Sequence, residues 1–315
     1  MACAALLAGC AEEEDADLDL DDPSEIEWVP NQSTAELAAA ATVAPRAVCS
    51  ERRATLRTVE AFESFPFSAF KMHTYPASTV TRSSRFARKG RSSMRATVGD
   101  PELTPTQCTQ RRYRGELQAN DLNIPWDDGV SHWWGMSFNP TKFPGDAYSL
   151  LQLHAPIPYV KACDYDGNSI SLVPRRVNGV MSYQLGILER GGRSEAKGAG
   201  SNTRLVWSEP MKLNAWSDFV FNFTLSSKGQ GYVHVWRNGQ LIYSRTGLTN
   251  VNHTDSCGKP VPPEKRASKG PSVGIYGPSC RANATPSPHF RELYVDEVRT
   301  ARGPSGYGLV APECQ

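Results

Sequence analysis

Three segments of the sequence place polar side chains at alternate positions, and several of these side chains can bind charge or exchange protons. Because successive side chains of a strand point to opposite faces, residues two apart share a face. Arginine and amide groups can hold a carboxylate, whereas histidine and tyrosine can transfer protons. The face-sharing sets are Arg114, Glu116 and Gln118 in the first segment, Tyr148, Leu150, Gln152 and His154 in the second, and Ser272, Gly274 and Tyr276 in the third.

The third segment also places small residues beside an aromatic one. Ser272 and Gly274 share the predicted face of Tyr276, while Val273 and Ile275 take the opposite face. A core strand normally fills the space beside a phenol, whereas a site for a sugar ring needs that space open. A single tyrosine of this kind is more often a packing residue, so the grouping is what indicates a sugar site.

Short strands separated by turns must position these residues. The predicted strands alternate apolar and polar residues, or flank the hairpin dipeptide Asn238-Gly239, and no long helical pattern lies between them. Strands at this spacing predict an all-β protein built as a two-sheet sandwich or jelly roll. The segments are 112–120, 131–138, 147–155, 219–225, 231–237, 240–245, 272–276 and 293–299.

The order of the motifs resembles a known family of enzymes. The chain looks like the heparin lyase I and glucuronan lyase group, and related alginate lyases share the order R-x-E, Q-x-H and G-x-Y. The resemblance covers about residues 85–310 and implies a single concanavalin A-like β-jelly roll over 46–315. The motifs are Arg114-Gly-Glu116-Leu-Gln118, HWWGMSF, Gln152-Leu-His154, Asn214-Ala-Trp216-Ser-Asp218, Gly231-Tyr-Val-His-Val-Trp236, Gly274-Ile-Tyr276 and Tyr294-Val-Asp296-Glu-Val.

The resemblance also implies a polysaccharide lyase that breaks a uronic-acid polymer by β-elimination. Gln152 and Arg114 would neutralise the sugar carboxylate, and His154 would assist as base or neutraliser. Tyr276 would be the acid, and also the base if cations such as Arg114 lower the pKa of about 10 that a free tyrosine has. Substrate-binding residues are then expected at four further positions, Arg112, Glu116, Gln118 and Trp134.

The sequence departs from the family near the tyrosine. Relatives often carry Tyr-x-Lys ahead of the Gly-x-Tyr segment, where this chain has Gly270 and Ser272. A polar or basic residue is usual after the tyrosine, where this chain has Gly277. These departures would remove a cation from the neighbourhood of the phenol.

Charge is distributed unevenly along the chain. Residues 1–45 hold eleven acidic and no basic residues, so the rest carries 34 basic against 22 acidic residues, about +12. A basic body favours a polyanionic partner, which predicts an acidic polysaccharide such as glucuronan, alginate or a heparin-like chain. We expect no nucleic-acid partner and a monomer. The same charge would also serve solubility alone.

The N-terminus predicts export. Leu7-Ala8-Gly9-Cys10 resembles the lipobox of bacterial lipoproteins, in which the cysteine is acylated, and 11–45 then forms a disordered acidic tether. The chain is therefore expected at the outer membrane or cell surface, held there only by the lipid on Cys10. An ordinary secretion signal and a chance match are the alternatives.

Cysteine spacing indicates disulfides rather than metal binding. Six cysteines follow Cys10, and none has metal-ligand spacing, so fifteen pairings are open. Cys257 with Cys280 is the first pair expected. No cofactor is assigned with certainty, and calcium is the one candidate. Asp164-Tyr-Asp166-Gly-Asn168 resembles a calcium loop, but it lacks the terminal glutamate, and a turn is the favoured interpretation.

Two other functions fit a sandwich of this kind. A carbohydrate-binding module would hold an acidic glycan without turnover. A retaining glycosidase needs two carboxyl groups about 5 Å apart, and the nearest acids, Glu292, Asp296 and Glu297, do not have the alternating spacing that would place them together.

Overall fold

The computed structural model describes most of the chain after residue 48. The predicted signal and tether, Arg112 and the pair Cys257 and Cys280 lie outside the described residues, as does most of the 164–168 loop. The described ranges are 49–50, 52–67, 69–74, 78–99, 113–119, 123–145, 147, 149–154, 168–191, 203–254, 258–277 and 290–315.

Within these ranges the chain forms two antiparallel sheets, which confirms the all-β jelly-roll prediction. The front sheet has the strand order β11-β10-β9-β8-β15-β5-β2, with β6 beside β15. Its strands are β2 (Phe70–Thr74), β5 (Tyr113–Ala119), β6 (Asn123–Pro125), β8 (Ser149–His154), β9 (Asn168–Val177), β10 (Val180–Leu188), β11 (Thr203–Pro210) and β15 (Ala267–Gly277).

The back sheet has the order β14-β13-β12-β7-β16-β4-β3, with β1 beside β16. One short helix, α1 (Tyr307–Val310), and two single 3-10 turns (Pro263–Lys265 and Pro312–Cys314) complete the described elements. The back-sheet strands are β1 (Thr55–Glu60), β3 (Ser78–Ser83), β4 (Ser93–Val98), β7 (His132–Lys142), β12 (Ser217–Thr224), β13 (Gly231–Arg237), β14 (Gln240–Leu248) and β16 (Arg291–Arg302).

The hydrophobic core lies between the two sheets, and period-two alternation supplies it. Phe219, Phe221 and Phe223 of β12 are fully buried in this core. Val273 and Ile275 of β15 meet them from the front sheet. Burying one such side chain contributes about 1.5–3 kcal/mol, so these alternating apolar rows fix which face of each strand points outward.

The predicted hairpin and part of the cysteine framework are visible in the structure. Asn238 and Gly239 have φ angles of 49° and 77° between β13 and β14, as a type I′ turn requires. Cys49 and Cys314 form a disulfide that joins residues 265 apart in sequence. No helix among the described residues has the length and apolarity needed to span a membrane.

Two details of the predicted strand faces are wrong. Trp134 was expected to bind substrate, but it packs edge-on against Phe223 in the core between the sheets, not on the outward face of the front sheet that carries the other predicted site residues. Leu150 was placed on the face of Gln152, but it belongs to the same core. The pairing of β8 with β15 is irregular at this place, because Ser149 pairs with Tyr276 while Leu151 pairs with Val273.

Candidate active site

Three neighbouring strands of the front sheet bring the sequence-predicted residues together. Strand β15 lies between β5 and β8, and it pairs Tyr276 with Arg114 and Gly274 with Glu116 on one side. On its other side it pairs Ser272 with Gln152. Residues that are more than a hundred positions apart in sequence therefore share the outward face of the front sheet, opposite the core.

A buried carboxylate is the centre of this cluster. Glu116 is 2% exposed, and its Oε2 lies 3.2 Å from Nε of Arg114. Gln152 donates from Nε2 to Oε1 of Glu116 at 3.2 Å. The Arg114 side chain is 23% exposed, so the cluster is continuous from a buried acid to the protein surface. Glu116 thereby fixes the orientation of both groups that were predicted to hold a sugar carboxylate.

Burial dominates the proton affinity of this acid. It raises the pKa of Glu116 from 4.5 to about 7, against the lowering effects of the Arg114 charge and the Gln152 hydrogen bond. Desolvation destabilises the charged carboxylate by more free energy than Arg114 and Gln152 together contribute to stabilising it. Glu116 is therefore a group that can take up or release a proton near neutral pH.

The tyrosine has a cation beside it, although the sequence departs from the family at the positions that usually supply one. The guanidinium carbon of Arg114 lies 4.4 Å from the ring centroid of Tyr276, within the range of a cation–π contact. The Tyr276 residue is 1% exposed. One arginine thus contacts both the buried acid and the phenol ring, and it links the two predicted halves of the site.

Gly274 has a different reason for being small than the one predicted. Its φ of +140° is unfavourable for other residues, and a Cβ there would lie 2.3 Å from the Gly115 carbonyl oxygen. The missing side chain therefore allows close approach of β5, which carries Arg114 and Glu116, rather than leaving open floor for a sugar.

A bulge in β15 places the side chain of Lys269 on the outward face of the front sheet. Lys269 pairs with His154 and Ser272 with Gln152, so three steps along β15 match two along β8. A Cβ on Gly270 would lie 2.9 Å from Leu153 Cδ1, so this residue faces the core. Lys269 is exposed on the side of Ser272, while the side chain of His154 lies outside the described residues.

Strand β2 adds residues that the sequence analysis missed. His73 pairs with Glu116 in the sheet, and its Nε2 lies 3.1 Å from Oε1 of Gln118. Lys71, two residues earlier, pairs with Gln118 and is exposed. Because Lys71 and His73 are two residues apart, the sequence indicates that they share a face of one strand. The pairing of β2 with β5 joins residues too distant in sequence for a local pattern to predict.

The described residues contain no group of three or more histidine, cysteine, aspartate or glutamate side chains suited to a metal ion. The predicted carboxylate binders Arg114 and Gln152 are held by an ion pair and a hydrogen bond to Glu116. Such an arrangement can hold an anionic sugar and exchange protons with it.

A family model described as "Polysaccharide lyase" matches residues 61–299, which include every described member of this cluster. This chain belongs to the polysaccharide lyase family. The match covers three quarters of the chain, so the activity of a polysaccharide lyase is assigned to the protein. No curated protein matches the sequence.

One solved structure supports the fold of this polysaccharide lyase, and two others are similar to it at lower scores. An endo-β-1,4-glucuronan lyase from the fungus Trichoderma reesei has 16% identity and a TM-score of 0.55, covering 83% of this chain and all of that one. The cellulose induced protein Cip1 has 12% identity and a TM-score of 0.43, over 78% and 97%. An alginate lyase from Pseudomonas aeruginosa has 13% identity and a TM-score of 0.40, over 70% and 86%.

Proposed function

We propose that this polysaccharide lyase cleaves a uronic-acid-containing polymer by β-elimination on the outward face of the front sheet. The observation that carries the proposal is the single arginine, Arg114, which contacts the buried Glu116 and the ring of Tyr276 while remaining partly exposed. A polymer with a carboxylate on each sugar supplies the charge that such an arginine binds.

In the proposed reaction, Arg114 and Gln152 hold the sugar carboxylate and stabilise the charge that develops when the C-5 proton leaves. His154 or Tyr276 takes that proton, and the electron pair forms the C-4 to C-5 double bond. The bond from C-4 to O-4 breaks, and Tyr276 protonates O-4. When Tyr276 is the base, it starts as the phenolate and passes the same proton on to O-4. When His154 is the base, the imidazolium and phenolate that remain are restored by loss of one proton to solvent and uptake of another. The products are an unsaturated uronate end and a free hydroxyl group.

Glu116 has a supporting part in this proposal. A second carboxylate placed beside Arg114 raises the proton affinity of Glu116 further, because like charges disfavour ionisation. Its pKa is already about 7, so substrate binding is expected to leave it protonated. Arg114 then loses one anionic partner and gains another, and its charge becomes available to the sugar.

The test is the ultraviolet absorbance of the unsaturated uronate. Purified protein is incubated separately with glucuronan, alginate and heparin, and at least one polymer is expected to give a steady rise. The matched control is the Tyr276→Phe variant, which keeps the ring over which Arg114 lies. Binding of all three polymers with no absorbance change would instead support a non-catalytic carbohydrate-binding protein.

We also propose that the enzyme is exported and lipidated on Cys10. The Leu7–Cys10 pattern supports this, and the Cys49–Cys314 disulfide suits an oxidising compartment. Metabolic labelling with a fatty acid tests it: Cys10→Ala is expected to abolish labelling and release the protein from the membrane fraction. Equal labelling of both proteins would contradict the proposal.

A further inference from the structure

A polar pocket lies between the two sheets, and none of its lining residues belongs to the cluster of Arg114, Glu116, Gln152 and Tyr276. We call this the end pocket. It has a volume of about 70 Å³, and its wall combines the back-sheet strands β7, β16 and β1 with the short front-sheet strand β6. The lining residues are Arg57, Asn123, Ile124, Pro125, His132, Trp134, Thr300, Ala301 and Arg302.

Two buried polar groups in the end pocket have no protein partner. His132 is 6% exposed and Thr300 is 2% exposed. Among the described residues, neither Nε2 of His132 nor Oγ1 of Thr300 has a hydrogen-bond partner. Burying a polar atom without a hydrogen bond lowers the stability of the folded protein by about 1–3 kcal/mol. Two such atoms beside one cavity indicate a ligand that forms hydrogen bonds with both.

The charges around the end pocket favour an anion. Arg302 pairs with Asp128 at 3.0 Å, and Arg57 adds a second guanidinium, so these three groups sum to +1. Burial lowers the pKa of His132 to about 4, with Asp128 opposing and both arginines reinforcing the shift. His132 is therefore neutral at pH 7, and in the tautomer with its proton on Nε2 it can donate to an anion.

An irregularity in the backbone of β1 positions Arg57 beside the end pocket. Leu56 pairs with Ala301 and Thr58 with Thr300, so Arg57 is the extra residue of a bulge in β1. Bulges re-aim a side chain relative to its strand. Arg57 and Asn123 are exposed, so the pocket communicates with solvent.

We propose that the end pocket binds one small oxyanion, the size of a carboxylate group, between Arg57, His132 and Thr300. A single water molecule needs roughly 10–15 Å³ of such space, so the 70 Å³ volume accepts a small polyatomic ion. The two unpartnered groups can each donate one hydrogen bond, and Arg57 supplies the compensating charge. The inference is independent of the lyase reaction.

Formate is the probe, and formamide is its neutral control of the same shape. The side-chain resonances of the six histidines are followed by NMR at constant ionic strength during titration, and His132→Gln identifies the His132 signal. Formate is expected to shift that signal saturably, with a Kd on the order of 1 mM, the best that three non-hydrogen atoms can give. Formamide is expected to leave it unchanged.

Variants locate the binding. Arg57→Ala is expected to weaken formate binding about tenfold or more, and Thr300→Val about fivefold. Arg91→Ala, at an arginine whose side chain is 87% exposed elsewhere on the surface, is the matched control and should bind like the wild type.

Several results would overturn the proposal: a linear, unsaturable response, an equal response to formamide, or equal binding by Arg57→Ala and Arg91→Ala. If a pocket variant fails to fold, the comparison of formate with formamide in the wild type decides by itself.

Discussion

Replacing Glu116 by glutamine tests the electrostatics of the active site through stability alone. The carboxyl has a pKa of 4.5 when it is unperturbed and about 7 in the folded protein. Between these values the folded state binds more protons than the unfolded state, so the free energy of unfolding falls as pH rises through this window. The difference in pKa corresponds to about 3 kcal/mol at 1.4 kcal/mol per unit.

The expected result is therefore a pH-dependent difference between two proteins. Between pH 5 and pH 8 the wild type should lose about 2–3 kcal/mol of stability relative to Glu116→Gln, since the amide carries no titrating proton. Other titrating groups, including the buried Asp296, are present in both proteins and cancel. Urea denaturation monitored by tryptophan fluorescence at pH 5, 6, 7 and 8 measures the difference.

Glu264→Gln is the matched control for this experiment, because Glu264 is exposed on the 3-10 turn at Pro263–Lys265. Its stability difference from the wild type should stay constant across the same pH range. A constant difference for Glu116→Gln as well would refute the reasoning, since it would show that burial does not hold the Glu116 proton to near-neutral pH.

Three further predictions concern the same protein. Tyr276→Phe should lower kcat on the cleaved polymer by about 10²–10⁴ without changing the urea midpoint, and retained turnover would remove the phenol from the mechanism. Arg114→Lys keeps the charge but loses the planar contact with Tyr276, so kcat/KM should fall about tenfold; an unchanged value would contradict that role. Cys314→Ser should lower the unfolding free energy by about 2–4 kcal/mol in non-reducing urea titrations, and the difference should vanish after reduction of both proteins.

Local pattern was sufficient for eight of the sixteen described strands and for one turn, whereas β1–β4, β6 and β9–β11 were not predicted. Phe219, Phe221 and Phe223 show an unbroken two-residue period, and a strand with one buried face is what that period produces. Asn238-Gly239 could be assigned because only a few dipeptides accept two successive positive φ angles. Asn178-Gly179 joins β9 to β10 with φ angles of 49° and 83° for the same reason.

Register could not be predicted in this way. The bulge at Gly270 and Pro271 places Lys269 on the outward face, although counting by two from Ser272 assigns that face to Gly270. A bulge shifts every residue beyond it to the other face. Counting by two through this irregular strand therefore assigned the outward face to the wrong residue and overlooked Lys269.

The side chains that fill the core and those that bind ligands also share residue types. Trp134 is an aromatic residue on a strand, and such a residue can either stack on a sugar or pack in the core. In this protein it packs in the core between the sheets. His73 could not be placed at the site because its partner Gln118 lies 45 residues away, across a strand pairing that no local pattern specifies. Pairing between distant strands is the information that the sequence pattern lacks.

Two buried carboxyl groups with similar pKa values differ in the kind of group that they contact. Burial raises the pKa of both Glu116 and Asp296 to about 7. Asp296 accepts hydrogen bonds from the backbone N–H groups of Arg88, Lys89 and Glu297, which tie a loop to the back sheet. Backbone donors cannot be withdrawn without unfolding that loop, so Asp296 is committed to the fold.

Glu116 has a different set of partners. The described contacts of its carboxylate are the side chains of Arg114 and Gln152, and Arg114 reaches solvent. Arg114 and Gln152 can turn from Glu116 to the carboxylate of a bound ligand. Glu116 then takes up a proton, because its charged form has lost the partners that stabilised it. In the proposed reaction, Glu116 pairs with Arg114 in the free enzyme and, on taking up a proton, releases it when an anionic sugar competes for the same guanidinium.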